Sequence, residues 1–320
     1  MKKVLIIQTA FIGDVILATP VISELNRLFP SAEIDVLVRR GNESLLVNNP
    51  SIKHVLNLDK KKKKFSELSR LLKEIRSNRY DTIINLHRFA SSGLLTVLGG
   101  AKNTIGFDKN PLSLFFSKKQ KHSLKEGKHE VERNLSLISH LGAEKLMRPS
   151  LFPSKKEIDF VQPYITETYF CLAPASVWFT KMLPIDKWME LIDFLKSKGK
   201  IYLLGGPGDV ELCETIRNRS KCQKVENLAG KLSFLASAAL MKQATRNFVN
   251  DSGPLHICSA MNAPVTAFFC STVTDFGFGP LSEDSKVLEV IDLDCRPCGI
   301  HGHKACPKGH FKCGNDININ

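Results

Sequence analysis

No stretch of this 320-residue chain is long and apolar enough to cross a bilayer. The opening run Val4-Leu5-Ile6-Ile7 is too short for a secretory core and is followed at once by Gln8, so a cytoplasmic protein is expected. The cysteines make no even framework. There are nine, and Cys171, Cys213, Cys222, Cys258 and Cys270 are scattered in apolar surroundings, which suits a reducing compartment. The turn after the first strand-like run carries one glycine, Gly13, where a dinucleotide fingerprint needs three. Aromatic residues do not alternate with the lysines, which disfavours a groove for single-stranded nucleic acid.

What is present is a large apolar fraction, 43%, and an excess of positive charge, +13. The charge is uneven. Residues 1–150 hold 26 Lys and Arg against 14 Asp and Glu, whereas residues 151–320 hold 19 against 18. A basic body attracts anionic lipid, nucleic acid or an acidic substrate. Much of the excess is local, in Lys60 to Lys64 and in Lys118, Lys119, Lys121, Lys125 and Lys128, and both runs read equally as solvated loops.

Short apolar runs recur at Val4–Ile7, Ile34–Val38, His54–Leu58, Thr82–Leu86 and Thr104–Phe107, with helical spacing from Val15 to Phe29 and from Phe65 to Arg76. Buried strands alternating with helices predict a parallel sheet covered on both faces. Residues 108–128 read as a basic, flexible loop and Glu130 to Leu141 as a helix. The pattern loosens around Pro149, Pro153 and Pro163. A second alternating series begins at Tyr169 and runs through Lys200–Leu204, Val225–Leu228, Arg246–Val249 and Val265–Phe269. Two doubly wound α/β domains are expected, 1–160 and 161–320, with a cleft between them as the default ligand site.

Several polar groups follow strands at the carboxyl edge, where open α/β sheets bind ligands. Asp14 stands at a helix entrance after the first strand, and His87-Arg88 follows another. In the second half come the loop Ala175-Ser176-Val177-Trp178-Phe179-Thr180-Lys181, the turn Gly205-Gly206-Pro207-Gly208-Asp209, and Asn250-Asp251-Ser252-Gly253-Pro254-Leu255-His256. The last reads as a strand end leading into a capped helix, whose first amides and dipole attract an anion. A lysine, hydroxyls, amides and a histidine around one crevice suit a diphosphate.

The stretch Phe11-Ile12-Gly13-Asp14-Val15-Ile16-Leu17-Ala18-Thr19-Pro20 resembles the N-terminal signature of family 9 glycosyltransferases, the ADP-heptose:lipopolysaccharide heptosyltransferases. The resemblance continues through His129-Glu130-Val131-Glu132-Arg133-Asn134-Leu135, Lys181-Met182-Leu183-Pro184, Leu204 to Asp209, Asn227-Leu228-Ala229-Gly230, Asn250 to His256 and a cysteine-rich tail. It implies the GT-B fold, two Rossmann-like domains facing across a cleft, with the acceptor on the first and the nucleotide sugar mainly on the second. It also implies that Asp14 is the catalytic base. Ser176 and Lys181 would hold the donor phosphates, Asp209 would lie near the nucleoside, and Asp251, Ser252, Gly253 and His256 would form the diphosphate loop. Val177 departs from members with a second hydroxyl there.

The implied reaction is inverting transfer of heptose from ADP-heptose to the inner core of lipopolysaccharide, with no metal or other cofactor required. The acceptor, a Kdo-bearing lipid A core, is anionic. Arg88, Lys118, Lys119 and Lys121 are the candidate acceptor contacts, and peripheral association with the inner membrane face is expected, with no nucleic-acid partner. Cys295-Arg296-Pro297-Cys298 with Cys306, His310 and Cys313 has the spacing of a compact zinc site, and packed free thiols are the alternative. Other readings are another nucleotide sugar or acceptor, a sugar-nucleotide epimerase of similar architecture, and a basic module binding anionic lipid or nucleic acid.

Overall fold

A computed structural model describes residues 1–144 and 146–319. They form two compact units, Met1–Phe152 and Pro153–Asn320. In the first, the order is β1 (Lys3–Gln8), α1 (Ile12–Leu28), β2 (Glu33–Arg39), β3 (His54–Leu58), α2 (Lys64–Asn78), β4 (Thr82–Asn85), α3 (Ala90–Leu98), β5 (Asn103–Phe107), β6 (Lys118–Gln120) and α4 (Glu130–Ser136). The six strands make one parallel sheet in the order β3-β2-β1-β4-β5-β6. That is the doubly wound order, and its direction reverses between β1 and β4. Val4 to Ile7 are fully buried because helices cover both faces.

Helix α1 passes through Pro20, which cannot donate to the carbonyl of Ile16. The hydroxyl of Thr19 donates to that oxygen instead, at 2.7 Å, so the helix continues. Asn134 Nδ2 donates to the carbonyl of Leu17 at 3.1 Å and ties α4 to α1.

The second unit holds α5 (Lys155–Val161), β7 (Tyr169–Ala173), α6 (Ile185–Leu195), β8 (Lys200–Leu203), α7 (Val210–Ser220), β9 (Val225–Asn227), α8 (Phe234–Gln243), β10 (Arg246–Asn250), α9 (Gly253–Met261), β11 (Val265–Phe269), β12 (Ser285–Glu289) and α10 (Lys312–Asn315). Its parallel sheet runs β12-β11-β10-β7-β8-β9, the same winding, with the switch between β7 and β10. Trp188, 1% exposed, meets Phe268 edge-on at 5.3 Å between centroids and anchors this core. Helix α5 packs on α8 and so lies with the second unit.

Two expectations need correction, and one element was not expected at all. The helix expected from Glu130 to Leu141 ends at Ser136; a 3₁₀ turn, Ser139–Leu141, follows and Gly142 closes it at φ +90°. The loop expected at 108–128 contains β6, an edge strand of Lys-Lys-Gln with no apolar residue to announce it. The stretch 90–98, passed over in the sequence, is α3. Among the described residues, no helix is long and apolar enough to cross a membrane.

Candidate active site

Asp14 and Arg88 follow β1 and β4, the two strands that flank the first switch point. Asp14 Oδ2 accepts the N–H of Phe11 at 3.2 Å, which caps α1 and aims the carboxylate along the loop after β1. The residue keeps part of its own surface open, yet protein packs closely around it. Burial, and next the charge of Glu130, raise its pKa to about 6 against the pull of the Phe11 amide and the Arg88 charge. Glu130 is buried and stays charged. Burial opposes its ionisation, but His122 at 3.5 Å and Arg133 at 2.6 Å outweigh it and hold its pKa below the usual range.

His87 stands beside Arg88 with Nδ1 2.8 Å from Thr9 Oγ1, and Lys60 Nζ donates to the carbonyl of Thr9 at 3.0 Å. Burial, with Lys60 and Arg88 nearby, lowers the pKa of the imidazole to about 4, so it is neutral at pH 7. The sequence marks His87 as a polar group following a strand, but not its pairing with Thr9 and Lys60.

The expected acceptor lysines are spread along β6 from one end to the other. Lys118, first residue of β6, borders a hollow with Thr82 and Asn103, which open β4 and β5, with Met1 just before β1, and with His140 of the 3₁₀ turn after α4. Asp14 lies at the carboxyl ends. The strands are parallel, so Lys118 and Asp14 are separated along the strand direction. Lys119 is exposed on β6, and Lys121, just past the carboxyl end of β6, reaches Glu126 at 3.6 Å.

In the second unit the loops after β7 and β10 meet. Asn250, wholly buried at the end of β10, accepts the N–H of Leu183 at 2.9 Å and donates to the carbonyl of Pro174 at 2.8 Å. These two bonds fasten the Ser176–Lys181 loop to the start of α9. Lys181 Nζ then lies 2.6 Å from Asp251 Oδ2, which also accepts the Thr272 hydroxyl at 2.6 Å. Asp251 is 5% exposed. Its Oδ2 thus holds both the Lys181 ammonium and the Thr272 hydroxyl. Two of the three ammonium protons remain for an anion.

The helix N-terminus is leaner than its sequence suggests. Ser252 stands at the N-cap, but its side chain makes no capping bond; Oγ lies 3.5 Å from the carbonyl of Ala175. Pro254 has no N–H, and Leu255 N donates back to Ser252 O at 3.0 Å. The amide of Gly253 is the donor left in that first turn. Ser176 is half-buried in the loop after β7. Asp209 Oδ2 accepts from Gly206 N at 2.7 Å and so shapes its own turn. His256 is buried one turn into α9, its ring edge-on to Phe278.

Thr180 is a group that the sequence did not mark. Its Oγ1 accepts from the Ser271 hydroxyl at 3.0 Å and from His303 N at 2.8 Å, and its own N–H donates to His303 O at 3.1 Å. A Cβ at Gly302 would stand 2.9 Å from Thr180 Oγ1 and 3.0 Å from Lys181 Cγ. The cysteine-rich tail therefore packs against the Ser176–Lys181 loop at Thr180 and Lys181. Arg296 locks this tail down through the carbonyls of Cys270, Val290 and Phe269.

All nine cysteines are free thiols. Cys295 Sγ lies 3.8 Å from His310 Nε2. Burial, then the neighbouring Cys298, Cys306 and Cys295, push Cys313 up to about 11. Among the described residues, no three His, Cys, Asp or Glu side chains stand together at metal-ligand spacing.

Comparison with known proteins agrees with this architecture. Residues 68–308 match the model of glycosyltransferase family 9 (heptosyltransferase). The chain is 32% identical over 279 residues to lipopolysaccharide heptosyltransferase 3 of Escherichia coli, covering 82% of each. It superposes on the structure of E. coli ADP-heptose lps heptosyltransferase II with TM-score 0.81 at 22% identity, covering 99% of this chain and 98% of that one. E. coli heptosyltransferase WaaC with ADP-2-deoxy-2-fluoro heptose gives TM-score 0.71 at 21% identity, covering 89% and 92%.

Proposed function

The chain belongs to glycosyltransferase family 9, the heptosyltransferases, and from that premise we propose that it transfers a heptose from ADP-heptose to the inner core of lipopolysaccharide, with inversion and without a metal. The observation that carries this reading is the Lys181–Asp251 pair at the second switch point, a fixed cation next to a helix N-terminus. That is the arrangement a departing diphosphate needs. A related enzyme has been captured with a fluorinated ADP-heptose, which supports the choice of nucleotide.

In this mechanism the carboxylate of Asp14 takes the proton of an acceptor hydroxyl. The freed oxygen pair attacks the anomeric carbon on the face opposite ADP, and the bond from that carbon to the diphosphate oxygen breaks. Charge builds on the leaving diphosphate, where Lys181 and the amide of Gly253 stabilise it, with Ser176 as a further donor. Asp251, Thr272 and Thr180 hold Lys181 in place. Asp209 accepts from the nucleoside. A base with a pKa of about 6 is mostly ionised at neutral pH and still basic enough to be useful.

The acceptor, a Kdo-bearing lipid A core, is met by Arg88 and Lys121. Lys118 and Lys119, on β6 before its carboxyl end, are left out of this role. The protein works in the cytoplasm against the inner membrane face. The experiment is turnover of ADP-heptose with a Kdo-containing acceptor, with and without EDTA. Acceptor-dependent ADP release that survives EDTA supports the reading. Turnover of only a UDP- or GDP-sugar overturns the donor, and loss with EDTA overturns metal independence.

A further inference from the structure

Past the end of β11 the chain leaves the sheet but stays buried. Strand β12 pairs with β11 only as far as Phe269, and Cys270, Ser271 and Thr272 are almost wholly out of water. Carbonyls in such a segment need donors. Arg296 supplies most of them. Its side chain is 4% exposed. Nε donates to the carbonyl of Cys270 at 2.7 Å, and Nη2 to those of Phe269 at 3.1 Å and Thr272 at 2.5 Å. Nη1 reaches the carbonyl of Val290, just past β12, at 2.7 Å, and the Glu289 carboxylate balances the charge. Two residues on, Cys298 N donates to the carbonyl of Ser271 at 2.9 Å. Each of the three residues after β11 thus has its carbonyl held from the cysteine-rich tail. The segment so held carries the donor loop. Thr272 Oγ1 donates to Asp251 Oδ2 at 2.6 Å, the same atom that holds Lys181 Nζ at 2.6 Å. Ser271 N donates to the carbonyl of Thr180, the residue before Lys181, at 3.2 Å.

We infer that Arg296 is a positioning residue for the donor diphosphate: by fixing the main chain at Thr272 it sets the Asp251 carboxylate and, through it, the Lys181 ammonium. This rests on the proposed function, in which Lys181 meets the diphosphate; Arg296 itself touches no substrate. A lysine is no substitute for it. Four carbonyls from the ends of two strands are met by the wide, planar fork of a guanidinium, with its five N–H donors, whereas an ammonium is compact and offers three. The links are buried as well as short, Thr272 at 1% and Asp251 at 5% exposure. In a close-packed interior a shift of the Thr272 main chain passes to its hydroxyl instead of being absorbed. Closing the strand ends would need only the carbonyls of Phe269, Cys270 and Val290. The further bond to Thr272 reaches the residue whose side chain holds Asp251.

The test is calorimetric titration of the full chain with ADP, which returns both the affinity and the fraction of competent sites, with donor and acceptor KM measured alongside. R296K keeps the charge and loses the fork. T272V keeps the main-chain carbonyl and loses the hydroxyl. Each is expected to weaken ADP binding and raise the donor KM by about tenfold, the size of one misplaced charge-assisted hydrogen bond, and to leave the acceptor KM unchanged. The double variant R296K/T272V should bind ADP no more weakly than the poorer single variant, because both changes cut one path. A purely structural role for Arg296 predicts something else: fewer competent sites, each with wild-type affinity. That result for R296K overturns the inference, and so do losses that add in the double variant. An unchanged ADP affinity in T272V also overturns it, and this variant decides the matter if R296K does not fold. K181A separates the two proposals. If wild type binds ADP and K181A binds it equally well, the donor site is misassigned and the proposed function loses its main support. ADP affinity that depends on Lys181 but not on Arg296 overturns this inference alone.

Discussion

Replacing Asp14 by Asn should make the protein more stable and nearly inactive, and the size of the first effect should depend on pH. The carboxyl ionises with a pKa of about 6 in the folded chain against 3.8 ordinarily. At 1.36 kcal/mol per unit that difference is worth about 3 kcal/mol. The sign follows from proton binding. Between pH 4 and 6 the native state holds a proton that the unfolded chain has lost, so this group's contribution is full below about 4 and is lost as pH rises through about 6. Above that the native protein carries a disfavoured charge. Asn removes it while still accepting the N–H of Phe11. The carboxyl is partly open, so solvent screening makes 3 kcal/mol an upper figure. Denaturant melts of wild type and D14N at pH 4 and pH 8 measure this: the two should coincide near pH 4, and D14N should be the more stable at pH 8 by about 1–3 kcal/mol. Turnover should fall by about 10²–10⁴ if the carboxylate is the base, and kcat/KM of wild type should rise with pH to a plateau above about 6. A stability difference independent of pH would refute the burial argument. A flat pH–rate profile from 5 to 8, where chemistry limits, would refute the assignment of the base.

Lys181→Ala should lower kcat/KM by about 10²-fold or more and also lower the melting temperature, because the buried Asp251 carboxylate loses its partner. Adding Asp251→Asn should restore the melting temperature and leave turnover low. Thr180→Val removes the oxygen shared by Ser271 and His303, and should cost about 1–3 kcal/mol of stability and raise the KM for the donor more than that for the acceptor. With a soluble acceptor, Arg88→Gln should raise the acceptor KM while Lys118→Gln leaves it unchanged; equal effects would argue that both cations share one subsite.

Much of this architecture can be read from residue order, because buried parallel strands announce themselves. Val4 to Ile7 and Tyr169 to Ala173 are uninterrupted apolar runs, and the polar residues after them fall at the sheet edge. Elements stabilised by neighbours rather than by their own pattern were silent. β6 is Lys-Lys-Gln and exists because β5 offers it an edge. β12, Ser-Lys-Val-Leu-Glu, is largely at the surface, and α3 is short and interrupted by Gly93. The same limit applies at the site. Composition and position mark Asp251 and Lys181 as polar groups near an anion site, but only their 2.6 Å contact shows that one carboxylate serves the other's ammonium. Thr180, Thr272 and Asn250 act through hydrogen bonds to residues 21 to 123 positions away, which no local motif records. Lys118 looked like its neighbour Lys121 in sequence; the direction of β6 separates them.

The most direct test of the account is nucleotide release from ADP-, UDP- and GDP-sugars in the presence and absence of a Kdo-containing lipid core acceptor, with wild type and D14N side by side. The account predicts ADP release from ADP-heptose that requires the acceptor and collapses in D14N. Release that proceeds without acceptor, or at an undiminished rate in D14N, would contradict it.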